Sequence, residues 1–176
     1  MKKLFVFAIA ALSMSLVACS GGKKDNSASE SSEAAQSVAE IKDGNTYEGK
    51  SYTVTYPKDW KESFSSEDIL NVKSADDAML FSINFGESGP TVDQLKQTGD
   101  NMKIVNKSDY KEIGEPKIND NLLILRRVTN DGEVELSYVK VLDGTKGIMG
   151  NIKAPADKEA EAEKALMSML ASVKMK

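Results

Sequence analysis

The sequence of 176 residues contains no histidine and a single cysteine, Cys19. Histidine is the commonest general base near neutral pH and the commonest ligand of transition metals. Its absence excludes Ser-His-Asp triads, Cys-His dyads and histidine zinc sites. One cysteine also excludes an internal disulfide and a four-cysteine zinc site. The sequence therefore predicts no bound metal and no cofactor, and the fold must be held by a packed core.

The N-terminal apolar run is too short for a permanent membrane-spanning helix. It covers residues 4–17, which are 14 residues, whereas such a helix needs about 20. A basic start, Met-Lys-Lys, precedes it, and Ala18 and Cys19 follow it. This order is typical of a secretory signal. We predict that residues 1–18 are a signal peptide that is cut between Ala18 and Cys19.

The run Leu16-Val17-Ala18-Cys19 resembles the bacterial lipobox, whose cysteine is acylated and becomes the first residue of the mature protein. The resemblance implies acyl chains such as palmitate on Cys19, and two chains already give stable anchoring. The alternative, a buried core cysteine, fits this position less well. We expect a lipid-anchored, extracytoplasmic protein of the cell envelope. Ser20 is compatible with sorting to the outer membrane if the host is Gram-negative.

Residues 20–45 contain no aromatic side chain, and their larger aliphatics are Val38 and Ile41. Such a composition cannot bury enough apolar area to fold. We predict that residues 19–45 are the lipidated cysteine and a flexible tether, which spans roughly 28 Å as a random coil. Removing Lys2 and Lys3 with the signal leaves 21 basic against 27 acidic residues. This negative balance predicts no nucleic-acid partner.

Residues 46–176 are predicted to form one globular domain of 131 residues. Alternating or continuous apolar patterns predict strands over residues 52–56, 69–73, 79–85, 122–128, 134–142 and 147–153. Asp131-Gly132 and Asp143-Gly144 favour tight hairpins, so the last three strands should form an antiparallel meander. Both faces of residues 122–128 are largely apolar, which indicates a central strand that is covered on both sides.

Two helices are expected to flank this sheet. Thr91 and Gln94 form a capping-box pattern, and the helix that follows should bury one face. That face contains Val92, Leu95, Gly99 and Met102. Gly99 would let the helix approach the sheet closely. The second helix begins after Pro155, and its predicted buried stripe is Ala162, Leu166, Met169, Leu170 and Val173. The fold class is therefore α+β, an antiparallel β-sheet flanked by helices.

The order of these elements resembles the PsbP-like fold, an α-β-α sandwich also found in a Ran-binding import factor and in DcrB-like bacterial lipoproteins. The resemblance covers about residues 47–175 and is carried by three segments: Tyr-Thr-Val-Thr-Tyr-Pro-Lys-Asp-Trp at 52–60, Thr-Val-Asp-Gln-Leu at 91–95, and Met-Ser-Met-Leu-Ala-Ser-Val-Lys at 167–174. It implies a mostly non-catalytic binding or assembly role, although fold alone does not fix function. Metal contacts made through histidine in plant members cannot apply to this chain.

Four side chains are candidates for contact with a partner or ligand. Trp60 and Tyr56 could be exposed anchors, although packing in the core is the favoured interpretation. Arg126 and Arg127 point to opposite faces of one strand, so either could hold a carboxylate in a pocket, with a structural ion pair favoured. Asp76 and Asp77 could form a calcium site with Glu67 or Asp68, but a solvated loop fits their spacing better.

The function that we expect is a non-catalytic binding or assembly module that recognises a protein or another envelope component. One alternative is a carrier with an apolar cleft between the sheet and the C-terminal helix. A second, less favoured, is a glycan hydrolase that uses two carboxylates.

Overall fold

The computed structural model describes residues 40–176, so the predictions for residues 1–39 lie outside it. The strands of this part of the chain are β1 (Gly44–Glu48), β2 (Tyr52–Pro57), β3 (Lys61–Ser66), β4 (Ile69–Lys73), β5 (Leu80–Gly86), β6 (Tyr110–Ile113), β7 (Lys117–Asn119), β8 (Leu122–Thr129), β9 (Glu133–Asp143), β10 (Lys146–Pro155) and β11 (Lys174–Met175). The α-helices are α1 (Leu95–Ile104) and α2 (Glu159–Ser172). The first strand begins at Gly44, two residues before the predicted domain start.

The strands form two antiparallel sheets, which confirms the α+β class. The large sheet has the order β3-β4-β5-β10-β9-β8-β6, with β7 also paired to β8. The small sheet has the order β1-β2-β11. The second, small sheet adds to the predicted architecture: a turn at Pro57, where Trp60 N–H donates to the Pro57 carbonyl at 3.0 Å, ends β2 before β3 begins. The buried side of β2 packs onto the large sheet instead of extending it.

The predicted meander β8-β9-β10 is confirmed. Gly132 and Gly144 lie in its two turns with φ of +98° and +57°, a region that favours glycine. The predicted strand over residues 69–73 pairs with β5, and β5 pairs with β10 at its other side. These pairings place chain segments far apart in sequence side by side.

The main core lies between one face of the large sheet, the small sheet and α2. We call this side of the large sheet the core face. The side chains that fill it include Tyr52, Val54, Leu70, Phe81, Ile83, Tyr138, Ile148 and Ile152. On α2 the predicted stripe is confirmed, since Ala162, Leu166, Met169 and Leu170 are buried and Val173 is half-buried.

Helix α1 covers the opposite face of the large sheet at β8 and β9. Leu95 packs there with Leu123, Val139 and Val141. At Gly99 a Cβ atom would lie 3.1 Å from Leu123 Cδ1 on β8 and 2.7 Å from the Pro116 Cβ, so the predicted close approach to the sheet is confirmed.

The turn that precedes α1, residues 91–94, differs in part from its prediction. Thr91 N–H donates to Gln94 Oε1 at 3.0 Å, as the capping box requires. Val92 was expected on the buried face but is 47% exposed. Residues 92–94 form a 3₁₀ turn, and Val92 therefore lies one turn before α1 begins at Leu95.

Candidate functional site

Most of the large sheet beyond α1 has one buried and one accessible side. Along β4 and β5, residues with inward side chains are buried, and those between them are half-buried or exposed. Phe64 on β3 is 53% exposed and Met149 on β10 is 39% exposed. We call the accessible side of β3, β4, β5 and β10 the open face. Among residues 40–176, α1 packs mainly against β8 and leaves this face uncovered.

A line of basic residues crosses this side of the sheet. The register pairs Lys61 with Lys73, Lys73 with Leu80, and Leu80 with Lys153. It continues from Lys153 to Glu135 and from Glu135 to Arg127. Paired residues of neighbouring strands point to the same face. We call Lys61, Lys73, Lys153 and Arg127 the basic row. The line on which they lie crosses six strands, from β3 to β8, and is about 24 Å long at ordinary strand spacing.

The β8 end of the basic row is buried and neutralised. Arg127 Nη2 lies 2.5 Å from Glu135 Oε1 and donates to Ser137 Oγ at 2.8 Å. Glu135 is 2% exposed and Arg127 is 9% exposed. Tyr110 lies over the guanidinium, 4.2 Å from its ring centre to the Arg127 Cζ, and donates to Glu135 Oε1 at 3.1 Å. Arg127 Nε has no hydrogen-bond partner among the described residues.

Glu135 connects this buried cluster to the accessible part of the row. Its Oε2 lies 3.3 Å from Lys153 Nζ, and the Lys153 side chain is 40% exposed. Burial raises the pKa of Glu135, but the Ser137 hydrogen bond and the charges of Arg127 and Lys153 lower it by a larger amount. The net shift of the pKa is therefore downward. Glu135 is therefore ionised at neutral pH and orients Lys153 at the rim of the open face.

A second line of side chains runs parallel to the basic row, two residues along each strand. Asn71 pairs with Ser82, and Ser82 pairs with Asn151. We call these three residues the amide row; all are half-buried. Amide and hydroxyl groups can both donate and accept hydrogen bonds. The open face therefore combines positive charge with neutral hydrogen-bonding groups.

Arg126 points to the core face, as its position next to Arg127 predicted. Its Nε lies 2.6 Å from Glu159 Oε1, and its Nη1 lies 2.6 Å from Glu112 Oε1. Arg126 therefore joins β8, β6 and the start of α2 as a structural ion pair, the favoured interpretation. It lies apart from the open face. Arg127 also makes a structural ion pair, but on the side of the candidate surface.

Trp60 and Tyr56 are buried in the main core, at 6% and 5% exposure. The alternative in which they are exposed anchors was wrong, because the turn after β2 directs Trp60 under the small sheet. Tyr56 donates its hydroxyl hydrogen to Glu62 Oε1 at 2.9 Å. Both residues contribute to packing and neither lies on the open face.

The acidic residues weighed as calcium ligands are not brought together. Asp76 and Asp77 lie after β4, whereas Glu67 and Asp68 lie before it. Asp76 accepts hydrogen bonds from Lys158 and from Ser74, and these contacts hold its pKa well below its usual range. Among residues 40–176, no group of three or more acidic or cysteine side chains is placed to hold a metal ion.

A separate polar groove of about 360 Å³ lies between the small sheet and the end of α2. Hydroxyl side chains provide much of its lining, including Thr53, Thr55 and Ser172. Ser172 Oγ accepts from Thr55 N–H at 2.9 Å and lies 3.1 Å from the Thr55 carbonyl oxygen. This serine therefore bonds the backbone N–H and carbonyl of Thr55 on β2, a position that β11 does not reach. Part of the groove therefore has a structural role.

The signal peptide, Ala18, Cys19 and the tether up to residue 39 lie outside the described residues. In residues 40–176 no helix is both long and apolar enough to cross a membrane.

The amino-acid pattern along the chain does not reveal the basic and amide rows. Lys61, Lys73 and Lys153 are widely separated in sequence, and only the pairing of β5 with β10 aligns them. Alternation within each strand was the available signal. It places Asn71 and Lys73 on the outward side of β4, and Ser82 on the outward side of β5.

Comparisons with protein-family models and with curated proteins find no match. Among solved structures, the chain is similar to cyanobacterial PsbP (CyanoP) from Synechocystis sp. PCC 6803, at 15% identity and a TM-score of 0.51. The match covers 75% of this chain and 92% of that one. A crystal structure from Bacteroides thetaiotaomicron VPI-5482 matches at 14% identity and a TM-score of 0.41, covering 74% of this chain and 49% of that one. The first similarity shows that the fold is PsbP-like.

Proposed function

We propose that this chain is a lipid-anchored protein of the cell envelope whose PsbP-like domain binds a partner, without catalysis, through the open face. The anchor is supported by the lipobox-like run that ends at Cys19. The binding role is supported by one observation: within residues 40–176 the core face is packed while the open face stays accessible.

The chemistry of the open face supports binding. Phe64 and Met149 expose apolar surface at its edges, and exposed apolar side chains rimmed by polar groups are typical of interaction sites. Strands hold the basic and amide rows, so these groups are ordered before a partner arrives. Ordered groups lose less entropy on binding than groups on loops.

The two alternative functions receive less support. The groove beside Thr55 is lined largely by hydroxyls, whereas a carrier of apolar molecules needs a closed apolar cavity. A two-carboxylate hydrolase needs a pair of acids across a cleft. Glu112 and Glu159 come together on Arg126, but both are engaged as its ion-pair partners.

The anchor is tested by Cys19→Ser, with Ser20→Ala as the matched control. We expect the Cys19 variant to lose acyl mass in intact-protein mass spectrometry and to leave the membrane fraction, because no thiol is left to acylate. The control should retain both properties. Unchanged mass and fractionation in Cys19→Ser would contradict the anchor.

The binding surface is tested by photo-crosslinking in intact cells. A photoreactive amino acid replaces Asn84 or Phe64 on the open face, and in the control it replaces Lys164, which is exposed on α2. We expect a discrete crosslinked species from the first two positions and none from the third. Crosslinks from Lys164 alone would place the partner on the helical side and refute the proposed surface.

A further inference from the structure

The accessible part of the basic row is a local excess of positive charge in an acidic protein. Residues 40–176 contain 19 basic and 24 acidic side chains. Lys61, Lys73 and Lys153 nevertheless lie on one face, and Glu135, the acid within the line, is already engaged by Arg127. The nearby acids Asp76 and Asp131 lie in turns and accept hydrogen bonds there, whereas Glu133 is exposed at the start of β9 on the same face as Glu135. Lys153 is paired with Glu135, so the cationic part of the open face is the pair Lys61 and Lys73 at its β3 side.

The pairing of Lys61 with Lys73 is itself unfavourable. These residues are directly opposite each other on adjacent antiparallel strands, and like charges in that position destabilise a sheet. Within residues 40–176, neither lysine has an acidic partner at ion-pair distance. A bound anion that contacts both ammonium groups would remove this repulsion. The arrangement thus favours a ligand with closely spaced negative charges.

The amide row indicates what else the ligand carries. Asn71, Ser82 and Asn151 offer donors and acceptors next to the lysines, which suits a ligand rich in hydroxyl groups. A protein partner would fit less well, because lysine and serine are depleted in protein–protein interfaces whereas aromatic residues are enriched. Phe64 is the exposed aromatic residue on this face.

We propose, on the basis of the function proposed above, that the open face binds an anionic glycan of the envelope. Lys61, Lys73 and Lys153 contact its acidic groups, and Asn71, Ser82 and Asn151 bond its hydroxyls. Arg127 and Glu135 are positioning residues that hold Lys153 in place. The long, flat arrangement of the two rows suits an extended polymer better than a compact molecule.

Polygalacturonate, a carboxylated glycan, is the probe for this site. The protein is the mature chain, residues 19–176, with Cys19→Ser so that acyl chains do not bind vesicles. We expect binding in low salt, no binding of neutral dextran, and marked weakening as salt screens the lysines. Lys61→Gln with Lys73→Gln should weaken binding about tenfold, and adding Lys153→Gln should weaken it further. The double variant touches no ion pair of the described residues, so folding is preserved.

The matched control replaces three exposed lysines outside the row, Lys107, Lys146 and Lys164, with glutamine. It has the same net charge as the triple variant and should bind within about twofold of the parent chain. Equal loss in both triple variants would refute a defined site. Equal affinity for polyglutamate would indicate an acidic protein partner, and equal affinity for vesicles containing phosphatidylglycerol would indicate the membrane surface. Either result would overturn the glycan assignment.

Crosslinking separates this inference from the proposed function. If Asn84 and Phe64 give a crosslinked species in cells while polygalacturonate does not bind, the open face is the binding surface but the glycan is wrong. If the open face gives no crosslink and Lys164 does, the proposed function fails as well.

Discussion

The two ends of the large sheet differ in how they are covered. On β9 every residue from Val134 to Val139 is buried, and on β8 Leu123, Leu125 and Arg127 are buried on the α1 side of the sheet. From β10 to β3 only the core face is buried. The side chains under α1 are Leu123, Val139 and Val141. The matching face of β4 and β5 is mixed, with Asn71, Lys73, Ser82 and Asn84 beside Ile69 and Leu80. Within one continuous sheet, residue type thus distinguishes a covered end, β8 and β9 under α1, from an accessible end, which carries the open face.

At the covered end, Arg127 and Arg126 compare the two faces of β8, and Arg127 has the largest expected effect. Arg127→Met leaves Glu135 buried without its main partner, and we expect a loss of about 3–5 kcal/mol in the free energy of unfolding. Arg126→Met breaks ion pairs in which Arg126 and Glu159 are about one-third exposed and Glu112 is 60% exposed, and it should cost about 1 kcal/mol. Urea denaturation of both variants measures the costs. Similar losses in the two variants would show that the two faces of β8 are equally buried.

Two leucines on the same face compare the ends directly. Leu123 is fully buried under α1, so Leu123→Ala should cost about 3 kcal/mol through lost burial and a cavity. Leu80 is half-buried in the line of the basic row, so Leu80→Ala should cost less than about 1 kcal/mol. The change in thermal unfolding midpoint measures both effects. A large cost at Leu80 would mean that the open face is covered in solution.

The contact of α1 with the covered end depends on Gly99. In Gly99→Ala, alanine recovers up to about 1 kcal/mol of helix propensity, but its Cβ meets Pro116 and Leu123. Overpacking costs about 1–3 kcal/mol, so we expect a net loss of about 1 kcal/mol. Gly86→Ala is the control, since its nearest neighbour is Met149 Cε at 3.8 Å. Chemical denaturation should show little change there, and equal losses would argue against the close approach.

The buried cluster also predicts a weaker, pH-dependent effect. Because the pKa of Glu135 is lowered by folding, its ionised form stabilises the protein above the unfolded pKa, and this contribution disappears as pH falls through the folded value. In Glu135→Gln we expect lower stability at pH 7 and a shallower loss of stability below about pH 4.5. Unfolding titrations between neutral and acid pH measure the slopes. Identical slopes would show that Glu135 keeps its usual pKa.

The strands of the meander and the two helices could be predicted because their apolar spacing is local. The opposite directions of Arg126 and Arg127 followed from strand alternation alone. The division into two sheets could not be predicted, because it depends on which face β2 packs against. The rows of the open face were also beyond prediction, since Lys73 and Lys153 are aligned through pairings of β5 with two strands.

Strand β3 was missed for a different reason. Its sequence, Lys-Glu-Ser-Phe-Ser-Ser, has little strand preference, and all six residues are exposed. Its extended form comes from pairing with β4. Strands β6 and β7, at the opposite end of the sheet, were not predicted either. The edge strands were therefore harder to predict than the central strands, where burial and local pattern agree.

The same strand has a consequence for solubility. As the outermost strand, β3 presents backbone groups on which a strand of another molecule could pair. Its register shifts between Glu62 and Phe64, and Lys61 lies at its start. A bulge interrupts a regular ladder of hydrogen bonds, and a lysine repels a second copy of the same edge. The irregularity of β3 therefore protects the protein against edge-to-edge aggregation while Phe64 remains accessible.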